Sequence, residues 1–311
     1  MKKRLTFFAK GGDTFLQDIV VNLRKDYEVK MFTNGPSTEF FHYLHDTDIA
    51  WFEWCDDLVA TASRHPKMCK SICRLHSYEM FTDQPKKVDW NKIDKLLLVN
   101  DLVQDYCTQK FQIPAYKTAV IHNGVNTDRF QIPDGKKYNK KVVFVGFINY
   151  KKGPALLLQA FKAIHDFDPE FTFHIAGEHQ DERISLYFQS MQKKLPFEIH
   201  MDGWVKDVPT YLEDKDFVIS TSLFESFQYS LAEGMAQGCV PLIHGWPGSE
   251  IFYPKNFLWD FPDECVNIVE QMHNQTSEEQ FKTRERVRKH IVENFSVEKQ
   301  VEEVKALIES L

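Results

Sequence analysis

Residues 217–243, FVISTSLFESFQYSLAEGMAQGCVPLI, decide the fold that the sequence predicts. Residues 217–220 and 240–243 are short, mostly apolar runs of the kind found in buried strands. Residues 229–237 between them have a helical pattern with several small side chains. Two strands joined through a helix form a βαβ unit, and such a unit predicts parallel pairing of the strands.

The same alternation extends along the chain in both directions from this segment. Strands of a first series are expected at residues 5–8, 27–32, 49–52, 71–75, 96–99 and 120–121, with helices at 14–25 and after Asp101. Further strands of a second series are expected at residues 142–145, 172–176 and 198–201, with helices at 155–166, 181–193 and 208–213. This alternation predicts an α/β protein with two Rossmann-like domains, followed by helices alone after residue 262.

A polar stretch separates the two series. Residues 124–137, GVNTDRFQIPDGKK, combine turn residues with charge and lack apolar periodicity, which is typical of a linker. We therefore expect an N-terminal domain over residues 1–125 and a C-terminal domain over 126–295. Residues 296–311 should form a last helix, for which packing back on the N-terminal domain is one arrangement. Open α/β sheets bind ligands at the carboxyl ends of their strands, so a ligand site is expected in a cleft between the two domains.

The composition limits the functions open to the chain. Its 311 residues carry a formal net charge of −7, which disfavours nucleic acid as a partner because binding a phosphate backbone needs clustered cations. No uncharged run approaches the ~20 residues of a membrane span, so membrane contact should be peripheral at most. The first residues predict a strand rather than a signal peptide. Six cysteines without a Cys-x-x-Cys pair favour a reducing compartment, and we expect a cytoplasmic protein.

Two glutamates flank the start of the helix in the deciding segment. Glu225 should lie in the loop after the strand and Glu233 inside the helix, eight residues further on. Eight residues of helix span roughly 12 Å, which is comparable to the distance from the sugar to the ribose of a nucleotide-sugar. The helix N-terminus between them offers free N–H groups to a diphosphate. The alternative is ordinary capping and solvation, which two glutamates near a helix start also provide.

Several ordered motifs accompany this pair. They are Gly234, Gly238 and Pro241 after Glu233, VIHNGVN at residues 120–126, FVG at 144–146 with Lys152-Gly153, IAGE at 175–178, DGWV at 202–205, and RLHSYE at 74–79. Together they resemble the motifs of family 4 (group 1) glycosyltransferases, which are retaining enzymes of the GT-B fold. The resemblance covers most of the C-terminal half and is weaker in the N-terminal half.

The resemblance implies the transfer of a hexosyl unit from a nucleotide-sugar, with UDP as the expected nucleotide, to a hydroxyl acceptor on a surface polysaccharide or glycolipid. It also implies that the N-terminal domain (residues 1–125) holds the acceptor and the C-terminal domain (residues 126–295) holds the nucleotide-sugar donor. The implied catalytic residues are Glu225, His76 and Lys152, with the histidine near the reacting carbon and the lysine on the diphosphate. The donor-binding residues that we expect are Glu233 on the ribose, Gly203 and Trp204 near the base, Ser226, Phe227 and Gln228 around the sugar, Gly146, Phe147, and Gly12. Gly12 belongs to a Gly-Gly pair after the first strand, where a plain tight turn is the alternative.

No cofactor or metal is expected. The Asp-x-Asp strings at residues 46–48 and 214–216 precede predicted strands, which is the wrong end of an α/β sheet for a ligand. In the family, moreover, the leaving phosphate is thought to accept the proton of the acceptor, so that neither a metal nor a separate base is needed.

Two positions depart from the family pattern. Phe147 stands where the family usually has an arginine on the diphosphate, and Gln228 where it often has a glycine. An unusual donor, a compensating cation such as Lys151, or weakened activity would each account for this. The alternative functions are a hydrolysing epimerase or a sugar phosphorylase of the same fold, and a sugar-binding protein without catalysis.

Overall fold

The computed structural model describes residues 2–10 and 16–311, and the chain divides into two compact units. The first unit contains the chain up to Gly124 together with Val297–Leu311, and the second is Val125–Ser296. The boundaries therefore fall at residues 124/125 and 296/297, each within one residue of the expected ones. Among the described residues, no helix combines the length and the apolar composition that a membrane span requires.

The first unit is built on a parallel sheet, which in the described residues has six strands in the order β2-β1-β3-β4-β5-β6. Its elements are β1 (Arg4–Phe8), α1 (Gln17–Leu23), β2 (Glu28–Phe32), α2 (Thr38–His45), β3 (Ile49–Phe52), α3 (Asp57–Ser63), β4 (Lys70–Arg74), β5 (Lys95–Leu98), α4 (Asp101–Phe111) and β6 (Thr118–Val120). Short 3₁₀ turns lie at Glu79–Phe81, Gln84–Lys87 and Ala115–Lys117.

The second unit repeats this plan with the described strand order β12-β11-β10-β7-β8-β9, again all parallel. Its elements are β7 (Lys141–Val145), α5 (Pro154–Phe167), β8 (Thr172–Ala176), α6 (Glu182–Gln192), β9 (Ile199–Gly203), α7 (Val208–Leu212), β10 (Phe217–Ser220), α8 (Tyr229–Ala236), β11 (Val240–His244), β12 (Leu258–Trp259), α9 (Pro262–His273) and α10 (Ser277–Asn294). The two sheets confirm the predicted α/β class.

Three elements were not predicted: α2, α3 and the two-residue strand β12. Both helices begin at a side chain that accepts a backbone hydrogen bond, Ser37 from Phe40 for α2 and Asp56 from Leu58 for α3. Serine and aspartate are preferred at this position because their oxygens pair with N–H groups that the first helical turn leaves free. Ser37 and Asp56 therefore mark the starts of these two helices in the sequence, although both helices are short.

The last helix, α11 (Val297–Glu309), belongs to the first unit. Apolar side chains repeat along it at helical spacing and join the apolar core formed by β1 and α1, which includes Leu5, Phe7 and Leu23. The buried side chains of the helix in this core are Val297, Val301, Val304, Leu307 and Ile308. Helix α11 thus completes the apolar core of the first unit.

Replacing Val304 by alanine should lower the free energy of unfolding of the first unit by about 2 kcal/mol, because it removes two buried methyl groups and leaves a cavity. Urea unfolding of V304A would measure this, with the exposed neighbour Glu302→Ala as the control. Equal stability of the two variants would show that α11 does not contribute to that core.

Candidate functional site

The loop between β10 and α8 carries the paired glutamates. β10 ends at Ser220 and α8 begins at Tyr229, so Glu225 lies in the loop and Glu233 inside the helix, as the sequence predicted. Gly234 lets the helix pack closely on the strand, since a Cβ there would come within 2.7 Å of the Val218 side chain. The small residues of α8 therefore determine how closely the helix packs on the sheet.

Glu225 is 5% exposed, and both of its carboxylate oxygens have cationic partners. Lys152 Nζ lies 2.6 Å from Oε1, and Lys151 Nζ lies 2.8 Å from Oε2. The hydroxyl of Ser222 donates a third hydrogen bond, 3.1 Å to Oε1. Burial alone would raise the pKa of Glu225, but the attraction of Lys152 and then of Lys151 outweighs it and lowers this pKa. Glu225 is therefore a carboxylate at neutral pH.

Glycine at position 153 brings the two lysines to this loop. Gly153 has φ +59°, and a Cβ there would approach the carbonyl oxygen of Thr221 to 2.1 Å. Two hydrogen bonds join the same segments: the Thr221 hydroxyl donates to the carbonyl of Lys152 at 2.8 Å, and Leu223 N–H donates to that of Lys151 at 2.8 Å. The Lys-Gly pair thus places both ammonium groups against Glu225.

The carboxyl ends of β7, β8 and β9 contribute glycines and two aromatic rings. Gly146 and Gly177 have φ of +139° and +156°, and a Cβ on Gly177 would overlap the carbonyl oxygen of Gly146 at 1.9 Å. Phe147 is 39% exposed and Trp204, after Gly203, is 61% exposed, yet their ring centroids are 5.3 Å apart. The position at which the family pattern has a cation therefore carries part of an exposed aromatic pair.

The residues after Glu225 are held inside the second unit. Gln228 accepts a hydrogen bond from the Ser220 hydroxyl at 2.5 Å and donates one to the Ser230 hydroxyl at 3.3 Å, which ties the end of β10 to the start of α8. Phe227 is buried among other rings, and Ser226 is buried as well. The side chain of Gln228 therefore has a structural role at the position where the family often has glycine.

His76 lies in the first unit, after β4, and is mostly buried. Its Nε2 is 3.0 Å from Oε1 of Glu53, and its ring lies against Trp54 with centroids 4.0 Å apart. Burial lowers the pKa of His76 despite the nearby Glu53 carboxylate, so the imidazole is neutral at pH 7.

Glu53 is a residue that the sequence analysis missed. Burial would raise its pKa, but the charge of Arg74 and the hydrogen bond from His76 lower it. Arg74 donates to Oε1 at 3.0 Å and Trp51 to Oε2 at 2.9 Å. A charged residue directly after the apolar strand β3 was the available signal, because a buried charge at the carboxyl end of a parallel strand requires partners.

Glu79 is the second buried carboxyl group near His76. One of its oxygens accepts the His76 backbone N–H at 3.0 Å. Burial raises the pKa of Glu79 to about 8, so this carboxyl group is protonated at neutral pH. It can therefore donate a hydrogen bond as well as accept one.

The predicted site residues thus fall into two groups. Glu225, Lys152, Glu233 and the donor-binding residues described above belong to the second unit, whereas His76 belongs to the first. Gly12 lies outside the described residues. Their roles stay predictions.

The aspartates of the two Asp-x-Asp strings form ion pairs. Asp46 and Asp48 both pair with Arg4, and Asp216 pairs with Arg284 at 2.6 Å. In the described ranges, no group of three or more His, Cys, Asp or Glu residues is placed to hold a metal ion. The expectation that the protein needs no metal stays a prediction.

Comparison with known proteins relates part of the chain to a family. Residues 139–271 match the family described as glycosyl transferases group 1. Mannosylfructose-phosphate synthase of Agrobacterium fabrum is 28% identical over 223 residues, which cover 59% of this chain and 49% of that protein. The Escherichia coli UDP-Gal:alpha-D-GlcNAc-diphosphoundecaprenol alpha-1,3-galactosyltransferase is 22% identical over 233 residues, covering 68% and 59%. The chain spans about half to three fifths of the length of these curated relatives.

Among solved structures, Anabaena Alr3699/HepE in complex with UDP and glucose has a TM-score of 0.80 at 17% identity, with 100% of both chains covered. The two parallel α/β units therefore have the GT-B fold. Residues 139–271 match the group 1 glycosyltransferase family, so the predicted resemblance to that family and the predicted fold class are confirmed.

Replacing Glu79 by glutamine should change how stability depends on pH. The folded state raises the pKa of Glu79 from 4.5 to about 8, so the unfolded chain loses this proton at a lower pH than the folded protein does. The wild type therefore loses stability as the pH rises between these two values. Glutamine keeps the acceptor oxygen and has no such proton. The stability of E79Q relative to wild type should therefore increase from pH 5 to pH 8 and then level off, as measured by thermal unfolding across this range. If the stabilities of E79Q and the wild type changed in parallel with pH, Glu79 would not be protonated in the folded protein at neutral pH.

Proposed function

We propose that the protein is a retaining glycosyltransferase that moves a hexosyl unit from a UDP-sugar to a hydroxyl group of a carbohydrate or glycolipid acceptor. The observation that carries the proposal is the buried Glu225 carboxylate held by two lysines at the carboxyl edge of a parallel sheet. Parallel α/β sheets bind their ligands at this edge. The match of residues 139–271 to the group 1 glycosyltransferase family supports the same reaction class.

The two lysines would stabilise the leaving group. When the bond from the anomeric carbon to the phosphate oxygen breaks, negative charge develops on the diphosphate, and fixed cations lower the barrier to that step. Glu225 fixes both ammonium groups through its two ion pairs. Lys152 is mostly buried, whereas Lys151 is 42% exposed and remains open to solvent. Lys151 would then supply the second positive charge that the family pattern places at the position of Phe147.

The glutamates would position the donor. An ionised Glu225 accepts hydrogen bonds from sugar hydroxyls, and Glu233, about one turn into α8, would accept them from the ribose. The backbone around Phe227 and Gln228 would hold the sugar, with Gly203 and Trp204 near the base. The N-terminus of α8 lies between the two carboxylates and favours a diphosphate.

The chemistry would proceed through an oxocarbenium-like transition state on the face that the leaving group occupies. The acceptor oxygen forms the new bond to the anomeric carbon, and its proton passes to the departing phosphate. A neutral His76 would contact the transferred sugar, with its ring orientation fixed by Glu53. In this mechanism neither a metal nor a separate base is required.

The substrates are proposed from the relatives. The Anabaena structure contains UDP and glucose, and the name of the E. coli relative specifies a UDP-sugar donor and a lipid-linked sugar acceptor. We therefore propose a UDP-hexose donor, an acceptor of the polysaccharide or glycolipid class, and a cytoplasmic reaction. The thiols of all six cysteines, which are unpaired in the described residues, suit a reducing compartment.

The test is the release of UDP from UDP-glucose and UDP-galactose, with water as the acceptor, in the presence and absence of EDTA. We expect slow release that EDTA does not affect and that Glu225→Ala abolishes. Proton NMR should show the α-anomer of the released hexose first, since the mechanism retains configuration. A β-anomer, or dependence on a metal, would contradict the mechanism. Tight UDP-sugar binding without release would favour a sugar-binding protein, for which the loss of the cation at Phe147 is the supporting observation.

Replacing Glu225 by glutamine should separate the two roles of this residue. The variant keeps the size of the side chain but no longer neutralises the lysines, so inorganic pyrophosphate should bind about fivefold more tightly. UDP release should fall about 100-fold because the sugar is misplaced. Calorimetry and the release assay measure these effects, with the exposed Glu213→Gln as the matched control. Weaker pyrophosphate binding in E225Q would contradict this prediction. It would show that the main effect of Glu225 on the lysines is to hold them in position and not to neutralise their charge.

A further inference from the structure

A cavity lies wholly within the first unit, at the loops that follow β3 and β4. Its volume is about 260 Å³, and its walls include Asp56, Tyr78, Glu79, Thr82, Gln84 and Lys87. This volume is just below the range for sites of drug-sized ligands, about 300–1,000 Å³, and suits a single ring.

One wall of this cavity is aromatic. Tyr78 is 59% exposed, and its ring centroid is 5.8 Å from that of Trp54, which packs in turn on His76. A tyrosine that is this exposed presents a flat apolar face and a hydroxyl to whatever occupies the cavity. The apolar C–H face of a sugar ring is complementary to such a surface.

The other walls offer both donors and acceptors of hydrogen bonds. Glu79 carries a proton at neutral pH, because burial raises its pKa to about 8. The side-chain oxygen of Gln84 is buried and has no hydrogen-bond partner among the described residues. A buried polar atom without a partner needs an explanation, and a ligand hydroxyl would satisfy it. Sugar hydroxyls donate and accept, so they match this mixed set.

The charges around the cavity favour a neutral ligand over a cation. Asp83 pairs with Lys86 at 2.7 Å, and Lys87 adds a positive charge to the wall. Asp56 accepts the Leu58 N–H as the cap of α3, and burial raises its pKa to about 6. Aromatic sites for quaternary ammonium groups use an excess of negative potential. With Glu79 neutral and Asp83 paired, this cavity has no such excess.

We propose that this cavity binds the neutral pyranose ring of the acceptor, with Tyr78 as the stacking residue and Glu79 and Gln84 as hydrogen-bonding residues. The assignment to the acceptor rests on the proposed transferase function. Its support is the chain connection: His76 is two residues before Tyr78, and its backbone N–H donates to Glu79. A sugar bound here would therefore lie beside the residues that hold His76.

The test is direct binding of methyl α- and β-glucopyranoside, methyl N-acetylglucosaminide and tetramethylammonium, at up to 200 mM, by saturation-transfer NMR. At least one hexoside should bind. Its Kd should rise at least fivefold in Tyr78→Ala and return toward the wild-type value in Tyr78→Phe, which keeps the ring. Tyr116→Ala is the control, since Tyr116 is an exposed tyrosine of the same unit that does not line the cavity.

Three outcomes would overturn the inference: no binding of any hexoside, equal effects of Y78A and Y116A, or tighter binding of tetramethylammonium than of every hexoside. UDP binding distinguishes this inference from the proposed function. If the wild type releases UDP from UDP-sugars but binds no hexoside, the cavity inference alone fails. If it binds hexosides through Tyr78 and neither binds UDP nor releases it, the transferase proposal fails and the sugar site remains.

Discussion

The arrangement of charges in the second unit depends on a backbone contact that an L-residue with a side chain would prevent. Gly153 approaches the carbonyl of Thr221 so closely that a single added carbon would overlap it. This contact lets the turn that carries Lys151 and Lys152 dock on the loop after β10, where Glu225 is buried. Removing that approach would separate the lysines from the carboxylate, and the buried groups of Glu225 and Lys152 would then remain desolvated without their partners.

In both units, the charge state of a buried carboxyl group depends on whether a cation lies next to it. Glu225 and Glu53 are both almost fully buried and both ionised, the first through two lysines and the second through an arginine. Glu79 is equally buried but faces backbone N–H groups rather than a cation, and it keeps its proton. Of these three buried carboxyl groups, two are therefore ionised and one is protonated, and the difference lies in their neighbours.

Much of the fold could be predicted because its signals are local. The strands β3, β8 and β10 have the predicted bounds, since each is a short apolar run between turn residues. β12 has two residues and forms only by pairing with β11, so no local pattern marks it. Glu225 and Glu233 were singled out by their spacing within one βαβ unit together with the family resemblance of the motifs around them.

The remaining features of the site depend on contacts between distant residues. The need for glycine at position 153 arises from Thr221, 68 residues later, and the pairing of Phe147 with Trp204 joins the ends of two non-adjacent strands. Glu53 reaches Arg74 and His76 through neighbouring strands of the sheet. Such contacts follow from strand order, which local periodicity does not specify.

The membership of α11 in the first unit has a consequence for synthesis of the protein. A nascent chain emerges from its N-terminus, so the first sheet is made before the residues that cover Leu5, Ile19 and Leu23 exist. While the second unit is being translated, this apolar surface of the first unit is not yet covered by α11. Ribosome-bound intermediates should therefore expose an apolar surface that chaperones can bind, and the first unit would reach its native packing only after residues 297–308 have left the ribosome.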